Sequence, residues 1–226
     1  MSLPRRMILT PDVVKRTNVG LMLLNTGQFF TDEDWLIFFL CYIMANPNRS
    51  GVWSEYGKLL ANTDVRNLPT MFSRGQLITA SRKRGLSLQF MDSWHDMLEG
   101  QKIRLHQMAQ IVLASKSNEQ YKYFSASNLR KASIARAMAL VRSRSWRVPF
   151  PDHQGDIGDQ GVLLMAPALD MVNMDATVTA MAYFNTDEFD GSGGFRIVAE
   201  TSVRKGEEAF YYYGDHCREE LFTTCE

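Results

Sequence analysis

The hydrophobic periodicity of this chain changes once, near Trp146, and that change limits the possible folds more than any other feature. Before Trp146, apolar residues recur at helical spacing. After it, they fall into short runs of period two, separated by turn residues. Thr31 is placed to cap a helix, with Asp32, Glu33 and Asp34 in a first turn where the helix dipole favours negative charge. The residues that follow, from Trp35 to Leu40, are apolar on nearly every side, which predicts a buried helix ending before Asn46-Pro47-Asn48. A second helix is predicted over 92–115, with Trp94, Met97, Leu98, Leu105, Met108 and Val112 as its core stripe. A third is predicted over 127–144, with Ile134, Met138 and Val141. The stretch opened by Leu68-Pro69 has few apolar residues, and Arg82-Lys83-Arg84 followed by Gly85 within it reads as a solvated turn. Beyond Trp146, Pro149 to Asp156 reads as a loop. Strands are predicted over 178–185 and 195–201, joined by the turn-rich 186–194, and over 207–213, entered through Lys205-Gly206. A helical block followed by a small β-block predicts an α+β fold rather than alternating βαβ units.

The charge balance removes some functions. Lys plus Arg equals Asp plus Glu, so the net charge is zero, and no dedicated nucleic-acid face is expected. The three cysteines, Cys41, Cys217 and Cys225, form no CxxC pair, which argues against a disulfide framework or a structural zinc site and fits a reducing, intracellular compartment, cytoplasmic or nuclear. The most apolar stretch, Trp35 to Ala45, is far shorter than the roughly 20 residues a membrane helix needs, and the first ten residues lack the apolar region of a secretory leader. A soluble protein without a membrane partner is expected, and the oligomeric state stays open.

Several tempting patterns do not hold. Glu188-x-Asp190-x-Ser192-Gly193-x-Phe195 imitates a calcium loop, but position twelve, where a bidentate Glu must close the coordination sphere, is Ala199. His95, His106, His153 and His216 include no pair at i, i+4, so no metal site is expected from them. His216 and Cys217 are adjacent without an orienting third group. The Gly-Ser-Gly-Gly of 191–194 leads into a strand, whereas a phosphate cradle requires a helix N-terminus.

Four other segments form a coherent set: Trp53-Ser54-Glu55-Tyr56-Gly57-Lys58-Leu59-Leu60; Ser143-Arg144-Ser145-Trp146; Pro167-Ala168-Leu169-Asp170-Met171-Val172-Asn173-Met174; and Lys205-Gly206-Glu207-Glu208 running through Phe210-Tyr211-Tyr212-Tyr213 to Gly214. In this order they resemble the SET-domain protein methyltransferases, in particular the branch of Rubisco large-subunit methyltransferase. The resemblance covers most of the chain. It implies small SET-type β-sheets with a large helical insert, divided as an N-terminal SET remnant over 1–15, the insert over 16–145 and a C-terminal SET core over 146–226.

The resemblance also implies an S-adenosylmethionine-dependent transferase acting on Lys, or alternatively His, of a protein substrate. That reaction is an in-line displacement at a sulfonium carbon and depends mainly on alignment. The amine must be neutral, although its unperturbed pKa lies near 10.4. By the resemblance, Tyr213 is the phenol that aligns the nucleophile, Arg144 pairs with the cofactor carboxylate, and Asp170, Asn173 and Met174 line the cofactor pocket. Tyr183 is a further position implied to contact substrate. Three departures point the other way: Met174 stands where the family has His, Arg218 follows Cys217 where the family has Ser-Asn, and Cys225 falls on the position of a second active-site Tyr. They leave a SET-derived protein-binding module without turnover as the rival reading. The family's Gly-rich cofactor segment lies upstream of a Pro-Arg stretch like Pro4-Arg5-Arg6, so an N-terminally incomplete member with weakened cofactor affinity is expected.

Overall fold

The computed structural model describes residues 2–4, 7–115, 123–148, 161–174, 181–185, 194–198, 202–211 and 218–225. It is helix-rich and α+β, and packing divides it into two units: Met1–Thr10 with Arg144–His216, and Pro11–Ser143 with Cys217–Glu226.

The second unit is helical. Its elements are α1 (Pro11–Lys15), α2 (Asn18–Leu24), α3 (Asp32–Ala45), α4 (Ser54–Asn62), α5 (Arg74–Arg84), α6 (Leu88–Ala114), α7 (Lys131–Arg144), whose last residue counts with the first unit, and α8 (Arg218–Cys225). The predicted buried helix is α3, and every residue from Asp34 to Ile43 is buried. Its start is fixed by a reciprocal cap: the Thr31 hydroxyl accepts from the Asp34 amide at 3.3 Å, and the Asp34 carboxylate accepts from the Thr31 amide at 2.8 Å. With no polar stripe, α3 gains its stability from burial, at roughly 1.5–3 kcal/mol per large side chain. Phe30, Trp35, Phe38 and Phe124 make ring contacts around it, and Cys41 is buried so completely that its thiol is pushed up to about 12.

Polar groups also tie the helices together. The Arg142 Nε lies 2.8 Å from Glu33 Oε1, and Gln101 bridges the pair, accepting from Arg142 at 2.7 Å and donating to Glu33 at 3.0 Å. Arg136 donates to the carbonyls of Leu60, Ala61 and Thr63, closing the C-terminal end of α4, which otherwise leaves orphan acceptors. Gly57 sets how closely α4 approaches α3, because a Cβ there would lie 2.5 Å from the Ile43 carbonyl oxygen. Gly57→Ala is therefore expected to destabilise the protein by about 1–3 kcal/mol in denaturant titration, the usual range for forced overpacking. An unchanged midpoint would mean that the α3–α4 contact yields freely.

Two sequence expectations are corrected here. Arg82-Lys83-Arg84 is solvated as expected, but it is the last turn of α5 rather than part of a connecting turn. The helix is capped by Ser73 and Gln76 in a capping box and stops at Gly85 with φ 66°. Three cations at that end suit the helix dipole, and the Arg84 guanidinium lies 5.2 Å from the Phe222 ring of α8. Met97, expected in the stripe of α6, is 51% exposed; Met91 and Ala109 are buried instead. Helix α6 also begins earlier, at Leu88, where Ser87 caps it. The α7 stripe of Ile134, Met138 and Val141 is buried.

The first unit holds the strands: β1 (Ser2–Pro4), β2 (Ser145–Val148), β3 (Val162–Met165), β4 (Asn173–Met174), β5 (Met181–Asn185), β6 (Gly194–Val198) and β7 (Phe210–Tyr211). β5 and β6 pair antiparallel from Asn185↔Gly194 to Met181↔Val198, and β1 adds to β6. β2 pairs antiparallel with β3, from Ser145↔Met165 to Val148↔Val162, and Leu9 exchanges both backbone hydrogen bonds with Met165 at 2.9 and 2.8 Å. Leu9, Leu163, Leu164, Met165, Ala166 and Leu169 are the buried apolar residues around this pair. The expected loop at 149–156 lies outside the described residues.

Candidate functional site

The site grows out of the chain that follows β3. Pro167 and Ala168 turn the chain, and Ala168 sits at φ 72°, the sole non-glycine residue with positive φ among the described residues. A side chain there is strained, and such strain concentrates at functional positions. The turn feeds a single 3-10 turn, Leu169–Met171, in which the Asp170 amide donates to the Ala166 carbonyl at 2.9 Å. Asp170 is 6% exposed. The chain then extends as β4, Asn173 and Met174.

Arg144, the last residue of α7, reaches this turn. Its Nη1 donates to the Asp170 carbonyl oxygen at 3.0 Å and also meets the Met171 sulfur. Arg144 is partly exposed, and its Nη2 and Nε make no hydrogen bond among the described residues. The guanidinium is thus anchored at one nitrogen, and its Nε–Nη2 edge, unbonded among the described residues, has the geometry a carboxylate can engage bidentately.

β4 pairs in parallel with β7, with Asn173↔Phe210 and Met174↔Tyr211 in register. The approach to β7 is a turn in which the Arg204 amide donates to the Glu207 carboxylate at 3.0 Å and the Glu207 amide donates to the Arg204 carbonyl at 3.1 Å. Gly206 takes φ 94° within it, which suits a residue without Cβ. Just past that turn, the Glu208 carboxylate accepts from Asn173 Nδ2, and both side chains are exposed.

Arg144, Asp170 and Asn173 therefore share one local cluster, and the backbone of Met174 lies opposite Tyr211. Tyr183 is in β5, opposite Arg196, in the three-stranded sheet rather than the β4–β7 pair. Tyr213 lies outside the described residues, two positions beyond Tyr211. The contact from Arg144 goes to the backbone of Asp170, and Glu208 was singled out by no sequence argument of its own. Its signal was the second Glu of Lys205-Gly206-Glu207-Glu208, which fell inside the strand predicted over 207–213.

No protein-family model and no curated protein matches the chain. Among solved structures, it is similar to the crystal structure of the SET domain of LSMT bound to lysine and AdoHcy, at 20% identity with a TM-score of 0.69. The alignment covers 99% of this chain and 46% of that one, so the chain spans about half the length of the matched chain. The likeness shows a SET-domain type of fold. No helix among the described residues is long and apolar enough to cross a membrane.

Proposed function

We propose that this chain is an S-adenosylmethionine-dependent protein methyltransferase acting on the side-chain nitrogen of Lys, with His the second candidate. The observation that carries the reading is that Arg144 is held on the Asp170 carbonyl, three residues before Asn173, in the segment that pairs as β4 with β7. The fold supports it, since the LSMT SET domain of the same fold type was crystallised with lysine and AdoHcy. In this reading 1–15 and 146–226 form the SET portion and 16–145 is a helical insert.

The described residues fit such a cofactor. Arg144 offers guanidinium N–H groups to a carboxylate, and Asn173 is an exposed residue whose amide NH2 meets Glu208. When bound, S-adenosylmethionine supplies an activated methyl group on a sulfonium. The protein's part is positional: Arg144 and Asn173 hold the amino-acid end, and Tyr213 hydrogen-bonds the neutral amine so that its lone pair points along the displacement axis. Met174 replaces a side chain that the family carries as His, and its backbone hydrogen bonding in β4 is retained.

The test is calorimetric titration of the protein with S-adenosylmethionine and S-adenosylhomocysteine, alongside Arg144→Ala. Binding by the wild-type protein is expected, weakened about tenfold or more in Arg144→Ala, since a hydrogen bond to a charged group contributes roughly 1.5–3 kcal/mol. Absence of wild-type binding would overturn the cofactor reading and leave the protein-binding module, which Met174, Arg218 and Cys225 favour.

A further inference from the structure

Asn173 is held by a group whose chemistry dictates which way its amide faces. An ionised carboxylate only accepts hydrogen bonds, so the Asn173 edge that meets Glu208 must be the NH2, and the carbonyl oxygen must face the opposite way. Glu208 is itself placed rather than free to wander: the Arg204–Glu207 turn fixes the chain just before it, and the Asn173↔Phe210 pairing fixes the chain just after it. Residues 208 and 210 share strand parity, so the side chain of Glu208 lies on the side of the β4–β7 pair where Asn173 can meet it. Three residues upstream of Asn173, the carbonyl of Asp170 anchors Arg144, whose remaining N–H edges are donors only. The segment 170–173 thus carries an acceptor of its own and holds the guanidinium of Arg144 by its backbone.

We propose that Glu208 is a positioning residue that fixes the Asn173 amide with its carbonyl oxygen outward, so that the site reads an ammonium group beside a carboxylate, the α-amino-acid end of the ligand. This rests on the proposed function. Without Glu208 the amide is free to flip, and half of its orientations present the NH2 to an ammonium group. The Glu208 charge also favours a cation nearby. Because Asn173 and Glu208 are both exposed, their contact contributes little to stability, and its removal should be read in ligand selectivity rather than folding.

The experiment titrates wild-type protein, Glu208→Ala and Glu208→Gln with S-adenosylhomocysteine and with 5′-methylthioadenosine, which keeps the nucleoside and lacks the amino-acid end. For Glu208→Ala, affinity for S-adenosylhomocysteine should fall about tenfold, the effect of one hydrogen bond to a charged group. Affinity for methylthioadenosine and the melting temperature should stay at wild-type values. Glu208→Gln keeps an acceptor toward Asn173 and should lose less. An unchanged S-adenosylhomocysteine affinity in Glu208→Ala would overturn the proposal and leave the cofactor reading standing. So would an equal loss for both ligands, which would mark a structural role. If the wild-type protein binds neither ligand, the cofactor reading falls and takes this proposal with it.

Discussion

Replacing Tyr213 by Phe is expected to lower methyl transfer by on the order of 10²–10³ while leaving the melting temperature nearly unchanged. The substitution removes one hydroxyl and keeps the ring, so any packing role survives. What is lost is the hydrogen bond that aligns the incoming amine, an interaction realised mostly in the transition state. Such a loss lowers kcat together with kcat/KM, and one positioned hydrogen-bonding group removed from a catalytic site typically costs that factor in rate. Tyr211 is the internal control. It lies in β7 opposite Met174, two positions before Tyr213 in the sequence, and offers the same phenol at a neighbouring position. Tyr211→Phe should then leave the rate near wild type. Equal losses in the two variants would show that the catalytic position is misassigned, and full activity in both would remove the phenol from the mechanism. The comparison is made by steady-state kinetics on a lysine-bearing protein substrate, with the melting curve of each variant recorded beside it.

The sequence made the long elements legible and the short ones obscure, for a physical reason. α3 was readable because an acidic first turn precedes a continuous apolar run, and burial on all sides leaves no other solution. α7 was readable because Ile134, Met138 and Val141 repeat at helical spacing. α5 was not. Leu77 is its one buried large apolar residue, and its stability comes from Ser73, Gln76 and Gly85 at its ends, where single residues carry the signal. Helix α6 was found, but Met97 was misplaced: on a 27-residue helix, a methionine at the margin of the buried stripe can turn toward solvent without penalty. The strands β4 and β7 are two residues each and have no periodicity to read. Their pairing nonetheless brings the two segments of the proposed site together, and those segments stood out through their resemblance to a family motif rather than through patterning. Glu208 shows where such reading stops: that its carboxylate meets Asn173, 35 residues away, is a fact of three-dimensional placement.

The largest stability effect is expected at the base of α3. The Asp34 side chain is fully buried, and its carboxylate accepts from Arg104 Nη2 at 2.6 Å and Nη1 at 2.8 Å while also closing the Thr31 cap. The same two bonds hold the Arg104 guanidinium proton more firmly than usual. A buried charge without its partner is costly: removing one member of such a pair destabilises by about 3–5 kcal/mol. Arg104 is 40% exposed, so water can follow its departure, and Arg104→Ala should fall at the lower end, about 3 kcal/mol. Asp34→Asn keeps an acceptor for the Thr31 amide and removes the buried charge, so in that background Arg104→Ala should matter far less. The two substitutions should couple by about 1–3 kcal/mol in a double-mutant cycle read by urea denaturation. Additive effects would mean that Arg104 stabilises α6 by its own packing against Met108, with Asp34 already satisfied by its cap. A small cost for Arg104→Ala alone would mean that solvent reaches Asp34, and that the charge is sheltered by the first turn of α3 rather than by α6.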